Sequence, residues 1–342
     1  MMRNNSIIRT DVERICNAVD LRSLSKKTIL VSGASGLIGT YVLACLDWLQ
    51  ECGSDIQVYG LVFSKTPLYL REMEQHGRCV VLKVDLADSS QYSRLPEADV
   101  MIHAAGYAQP IRFMSNPIST LKLNTVGTAA LLERLNEEGR FLFISSSEVY
   151  SGLGKAPFSE EDIGTTTPLH PRSSYIEGKR GGEAMCVAYG TEGVNATSIR
   201  LGDTYGPGTR KYDKRAINSF IERGLESGKI ELMDPGSSVR TFCYISDAIE
   251  LMWKILLQGE NLLYNLGGYS TVTIAEMAEM IAGIIGVPLV IPPDQGGVSG
   301  APRDLRLDLS RVEKEFGKME YITLEKGLRK TIEWQRHMYG QN

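Results

Sequence analysis

Short apolar runs alternating with helix-period stretches organise the first two hundred residues. Thr28-Ile-Leu-Val-Ser32 reads as a buried strand running into a glycine-rich turn, and a helix pattern follows from Leu37 to about Gln50. Further strands are expected at Val58–Phe63, Cys79–Val84, Val100–His103, Arg140–Ile144 and Ala196–Arg200. Helical periodicity spans Ser119–Asn136 and Tyr175–Tyr189. Ahead of the first strand, Thr10-Asp-Val-Glu13 fits a capping box opening a short amphipathic helix. Beyond residue 205 the pattern loosens. Glycine, proline and charged loops separate helices near 214–226, 246–257 and 274–285 from a strand at Ile230–Met233.

Strands alternating with helices imply an α/β protein built on a doubly wound parallel sheet. The expected division is a helical arm over residues 1–27, the doubly wound domain over 28–204, and a smaller lobe over 205–335. Some of that last stretch is expected to return to the first domain. No repeats or low-complexity tracts interrupt this plan.

Composition narrows the partners. The 342 residues are 43% hydrophobic and 23% charged, with net charge −4, so no basic surplus exists for nucleic acid or anionic lipid. No apolar run is long enough to cross a membrane. Met1–Thr10 is polar and lacks the apolar centre of a signal peptide. The six cysteines, 16, 45, 52, 79, 186 and 243, form no C-x-x-C pair and read as thiols of a reducing cytoplasm. Four histidines without ligand spacing argue against a metal site.

Gly33-Ala-Ser-Gly36-Leu-Ile-Gly39 directly follows the first strand and opens a helix. Glycine lets the backbone turn tightly and approach a pyrophosphate, while the helix start supplies N–H groups and partial positive charge. The competing reading is a tight strand-to-helix turn without a ligand. Asp85 follows the third strand at a position that reaches adenine in this fold. The second strand runs into Ser64 and Lys65 without an acid for a ribose 2′-hydroxyl. These two residues suit a 2′-phosphate, so NAD versus NADP is open at this level.

Ser145-Ser-Ser-Glu148-Val-Tyr150 follows the fifth strand, at the carboxyl edge where doubly wound sheets carry their sites. Tyr175 and Lys179 are one helical turn apart on the next helix and share a face. A lysine beside a phenol is expected to lower the phenol pKa and make Tyr175 a general base, with Ser146 binding the same hydroxyl.

These motifs resemble the extended short-chain dehydrogenases that act on nucleotide sugars. The resemblance runs from about residue 27 to 335 and implies that 28–204 is an NAD(P)-binding Rossmann domain and 205–335 mainly a substrate-binding lobe. It adds His103-Ala-Ala105, Asn124, Thr204-Tyr-Gly-Pro207 and Arg240-Thr-Phe242 to the set above. Ser146-Ser-Glu-Val-Tyr150 with Pro171-Arg-Ser-Ser-Tyr-Ile-Glu-Gly-Lys-Arg180 is most similar to UDP-glucuronate decarboxylases. The resemblance implies NAD held by Gly33, Ser35, Gly36, Leu37, Ile38, Gly39, Ser64, Asp85, Leu86, Ala104, Ala105, Asn124, Tyr175 and Lys179. It implies catalysis by Tyr175, Lys179, Ser146, Ser147 and Glu148. A nucleotide diphosphate sugar would be bound by Arg172, Asp203, Arg210, Arg240 and Arg303, in a homodimer. A salt bridge to Asp247 is the competing reading for Arg240.

The implied reaction is oxidation at C4, loss of CO2 from the resulting β-keto acid, and return of hydride to C4. Nucleotide-sugar 4,6-dehydratases place an Asp-Glu pair where this chain has Ser147-Glu148, and 4-epimerases carry a small or neutral residue at Glu148. Both remain alternatives, as does, from another class, a non-catalytic NAD(P)-binding sensor or scaffold. Three positions depart from the decarboxylase pattern. Asp203 replaces asparagine, the arginine beside Gly-Pro is displaced to Arg210, and Ser151 replaces glycine.

Overall fold

A computed structural model describes residues 5–293, 304–318 and 320–339. Its main sheet has seven parallel strands in the order β10-β6-β5-β4-β1-β2-β3. They are β1 (Thr28–Ser32), β2 (Gln57–Val62), β3 (Val80–Lys83), β4 (Ala98–His103), β5 (Leu135–Ser146), β6 (Asn195–Leu201) and β10 (Leu263–Leu266). Between them run α2 (Leu37–Glu51), α3 (Leu68–Gln75), α4 (Pro110–Ser115), α5 (Pro117–Asn124), α6 (Val126–Leu132) and α7 (Ser173–Thr191). The central strands are buried on both faces, which is why they read as continuous apolar runs.

A second, four-stranded sheet stands over the carboxyl edge. It is centred on β9 (Val239–Tyr244), flanked by β11 (Ser270–Thr273) and β13 (Asp304–Leu305), with β7 (Asp203–Tyr205) also paired to β9. Helices α8 (Ala216–Ser227), α9 (Ile245–Gln258), α10 (Ile274–Ile285), α11 (Ser310–Phe316) and α12 (Leu324–Tyr339) pack around it. The pair β8 (Ile230–Glu231) and β12 (Leu289–Val290) forms a small ribbon.

Several expected elements are corrected. The helix over 119–136 is two helices broken at Thr125, and residues 135 and 136 already belong to β5. Proline at 117 fixes the start of α5 earlier than periodicity placed it. Seven strands form the sheet where six were expected, because β10 is a four-residue run too short to register as periodic. The Thr10–Glu13 capping box does not exist. The arm helix α1 (Ser6–Ala18) starts earlier, where Asn5 Oδ1 accepts from the backbone N–H groups of Ile7 and Ile8. Thr10 instead donates its hydroxyl to the Ser6 carbonyl, 2.8 Å away within the helix.

The arm is tied to both sheets. Asp11 is buried and accepts from Tyr41 Oη on α2 (3.0 Å), Tyr244 Oη at the end of β9 (2.6 Å) and Lys330 Nζ on α12 (2.7 Å). Arg14 reaches Asp247 on α9 at 2.7 Å, and Lys318 reaches the same carboxylate at 3.2 Å. Asp247 is thereby occupied, and the expected alternative of an Arg240–Asp247 bridge is replaced by Arg240 Nε facing Asp203 Oδ2 at 3.7 Å. Among the described residues no helix is long and apolar enough to cross a membrane.

Candidate active site

One cavity of about 580 Å³ opens along the carboxyl ends of the main strands, beneath the second sheet. That is the size and place of a small-molecule site in a doubly wound fold. Its floor begins at the turn after β1. Gly33 has φ +69°, and a Cβ there would lie 2.5 Å from the Ala104 carbonyl oxygen. A Cβ on Gly39 would strike the Gly33 carbonyl. Only glycine permits the loop to turn and α2 to start this close, leaving the backbone bare towards the cavity. Ser35, Gly36, Leu37 and Ile38 line the same end, with Ser64 after β2, Asp85 and Leu86 after β3, and Ala104 and Ala105 after β4. Asp85 Oδ1 accepts from the Ala87 N–H at 2.9 Å, which fixes its carboxylate at the strand end.

The other end gathers the polar set. Ser146 closes β5 and caps the short turn Ser147–Tyr150, its Oγ accepting from the Glu148 N–H at 3.2 Å. Behind that turn, Tyr150 Oη donates to Asn265 Oδ1 at 2.6 Å and accepts from Arg200, which is itself paired with Glu183 at 2.9 Å. The turn is therefore pinned from beneath. Tyr175 is buried on α7, its phenol beside Ser146 and its ring stacked on Phe113, with ring centroids 4.5 Å apart and 13° between planes. Lys179 is buried one turn on. Its Nζ donates to the Ile144 carbonyl at 2.7 Å and lies 5.8 Å from the Tyr175 ring centroid.

The electrostatics differ from expectation. Burial pushes the Tyr175 phenol up to about 12, and the Ser146 hydrogen bond is the strongest force in the other direction, followed by nearby Arg215 against Glu148. Lys179 does not depress it, because the ammonium points to a carbonyl and is itself brought down to about 7 by burial, which Glu183 only partly offsets. His103 is fully buried, with Nδ1 2.6 Å from Ser32 Oγ. Desolvation and the Lys179 charge lower it to about 3, so it packs as a neutral ring.

Glu148 pairs with Arg172, while its Oε2 is buried without a partner among the described residues. Ser147 is buried beside it. Asp203 and Arg240 line the same wall, and enclosure in the cavity pushes the Asp203 carboxyl up despite Arg240. Arg210 sits apart from this group, donating from Nε to the Ser35 carbonyl at 2.8 Å and from its guanidinium to Ser35 Oγ, over the glycine turn. Asn124 is buried against α7. Its Nδ2 donates to Thr120 O at 2.7 Å, and its Oδ1 is buried without a partner among the described residues. Arg303 lies outside the described residues.

Among the lining residues that escaped the sequence reading, Phe113 and Arg215 touch or face Tyr175. Phe113 stacks on Tyr175 from a helix with no motif of its own. Arg215 caps α8 in a clamp with Asp213 (Nη2 to Oδ2, 2.9 Å) and faces Tyr175 and Asp203. No spacing rule links position 215 to 175. The cavity lining carries seven cations, Arg112, Arg172, Lys179, Arg210, Lys214, Arg215 and Arg240, against four carboxylates, Asp85, Glu148, Asp203 and Asp213. That surplus suits a multiply charged anion. Among the described residues no cluster of potential metal ligands occurs.

Residues 29–267 match the NAD dependent epimerase/dehydratase family. UDP-glucuronic acid decarboxylase 1 of Xenopus tropicalis is 30% identical over 325 residues, covering 92% of this chain and 74% of its own. UDP-glucuronic acid decarboxylase 6 of Arabidopsis thaliana is 29% identical over 306 residues, covering 89% and 87%. Among solved structures, UDP-glucuronic acid 4-epimerase from Bacillus cereus, in complex with UDP-glucuronic acid and NAD, superposes with a TM-score of 0.77. It covers 91% of this chain and 100% of that one at 24% identity, a likeness of fold.

Proposed function

The chain belongs to the NAD dependent epimerase/dehydratase family, and we propose that it decarboxylates UDP-glucuronate by way of a transient 4-keto sugar. The observation that carries this reading is Glu148: a carboxylate on the site turn, next to Ser147 rather than a second acid, and paired with an arginine inside the cavity. A serine hydroxyl cannot protonate a departing C6 hydroxyl at neutral pH, which disfavours dehydration.

The bare turn at Gly33, Gly36 and Gly39, with Asp85 and Leu86 beyond it, fits NAD lying across the strand ends. NAD bound there supplies a hydride acceptor that is restored within each turnover. Tyr175 Oη takes the proton of the sugar C4 hydroxyl, and Ser146 Oγ holds that hydroxyl in line. Arg215 is the nearby cation that favours the phenolate, and Lys179, its Nζ on the Ile144 carbonyl, braces the strand end beside Tyr175. The carboxylate of the 4-keto sugar lies β to the ketone, so the C5–C6 electron pair passes into the C4 carbonyl as CO2 leaves. Glu148 positions the ring for that step and relays a proton from solvent to C5 through its unpartnered Oε2. Arg240 and Arg172 balance the charge of diphosphate and carboxylate, and Asn124 secures α7 behind Lys179. Arg303 belongs to the same diphosphate set.

Two coarser properties complete the proposal. Ile111, Met114, Ile118, Leu121, Val126 and Val187 are exposed on α4 to α7, a face suited to pairing with a second copy. Leu123, Leu131 and Leu132 on the same helices are buried in the chain's own core. All six cysteines are free, which suits the cytoplasm.

The test is the mass of the product from UDP-glucuronate. Loss of one CO2 without net change in free NAD is expected. Loss of water, or an unchanged mass with inverted C4, would replace the proposal with dehydration or epimerisation. Stoichiometric consumption of NAD would indicate a dehydrogenase.

A further inference from the structure

A second, more open cleft adjoins the cavity, and Ser64 lines both. Its walls carry Lys65, Arg71, Lys83 and Arg94, against one carboxylate, Glu74. Glu74 Oε1 is already engaged by the Val81 N–H at 3.2 Å. None of the four cations makes an ion pair among the described residues.

They come from four different elements. Lys65 is on the loop leaving β2, Arg71 on α3, Lys83 at the end of β3, and Arg94 at the end of the short turn Ser89–Arg94. In register, Lys83 stands directly beside Val62, the last residue of β2. The fold therefore converges four positive charges on the end of the second strand. In doubly wound dinucleotide sites that end meets the adenosine ribose. An acid there selects the free 2′-hydroxyl, and a guanidinium there accommodates a 2′-phosphate. This chain has Phe63-Ser64-Lys65 at that point and no acid.

We infer that the cleft is a phosphate subsite for a dinucleotide phosphorylated on its adenosine ribose, so that NADP binds at least as tightly as NAD. The inference rests on the reading that the glycine turn holds a dinucleotide. A dianionic phosphate is the ligand that unpaired lysine and arginine side chains match best, through charge-assisted hydrogen bonds worth about twice a neutral one.

Binding to the full chain tests it, by quenching of protein fluorescence with NADP and NAD, and by displacement with 2′-AMP and 5′-AMP. The expected result is a Kd for NADP at or below that for NAD, and 2′-AMP outcompeting 5′-AMP. The exposed pair Arg71→Ala and Lys83→Ala should weaken NADP about tenfold or more, on the order of 1.4 kcal/mol, while moving NAD far less. NAD binding more than about tenfold tighter than NADP, or equal losses for both cofactors in the double variant, would overturn the subsite and leave the dinucleotide reading standing. If neither cofactor binds, both fail. The 2′-AMP comparison needs no variant and decides the case should the substitutions unfold the chain.

Discussion

Glu148 is ion-paired with Arg172 inside the cavity, and only one of its two carboxylate oxygens takes part. The second oxygen is buried without a partner among the described residues, and unpaired buried carboxylate oxygens are costly. Glu148→Gln keeps the shape and removes the charge and the proton capacity. Turnover of UDP-glucuronate should fall by roughly 10²-fold or more, the scale of a positioned acid–base group. Dinucleotide binding should be kept. Steady-state kinetics and a cofactor titration on the same preparation check both parts. Near-normal turnover would remove the decarboxylation and dehydration readings together.

Tyr175→Phe should abolish turnover while the dinucleotide Kd stays within about threefold, since only the hydroxyl is lost and the stack on Phe113 survives. Activity within about tenfold of the unaltered chain would exclude the phenol as the base. Because Ser146 is the largest influence holding the phenol below its burial-driven value, Ser146→Ala should shift the rising limb of kcat/KM to higher pH.

Lys179 gives a stability signature. Burial lowers it from 10.5 to about 7, so between those values the unfolded chain binds a proton that the native chain has released. Native stability without cofactor should therefore climb with pH across that window, and the full cost of the buried ammonium should be present below about pH 7. Lys179→Met removes the ammonium. The variant should be the more stable protein at and below neutrality, with the difference fading towards pH 10.5. Urea denaturation across this range reads the slope directly, and parallel curves for the two proteins would refute it.

Asp203 stands where the resembled decarboxylases carry asparagine. Enclosure by the cavity walls and nearby Glu148 push its carboxyl up, although Arg240 opposes them. As pH rises through that value the carboxylate forms beside the site of an anionic substrate. Asp203→Asn should lower KM for UDP-glucuronate, most strongly at the alkaline end, with kcat little changed. A KM that stays pH-independent in both proteins would sink this account.

Light scattering at micromolar concentration should report a dimer. Ile118→Glu, on the exposed face of α5, should shift it towards monomer without unfolding, checked by circular dichroism. A monomeric unaltered chain would refute the paired-helix surface.

Short continuous apolar runs and period-3.6 stretches located the main sheet because its strands are buried on both faces and its helices on one. They did not locate β9 or β11, where Arg240-Thr-Phe and Ser-Thr-Val-Thr mix polar and apolar residues without a long alternation. At the site, everything carried by a motif was legible: the glycine turn, the serine-rich strand end, and the Tyr175/Lys179 pair. Phe113 and Arg215 were not, since their contacts with Tyr175 are made by tertiary packing across some forty to sixty residues of chain. The pKa direction of Tyr175 was misread for a related reason. Spacing on a helix places Lys179 on the correct face but says nothing of Ile144, whose carbonyl claims the ammonium.

Asp11 contributes no atom to the cavity, yet it clasps Tyr41 on the cofactor helix and Tyr244 at the end of the strand that presents Arg240. The two walls of the cleft thus share one anchor outside the cavity. Their spacing is set as the gap of a pair of tongs is set by its rivet. Sequence drift in the thirteen-residue arm helix is then a route by which substrate preference changes while every residue touching the substrate stays the same.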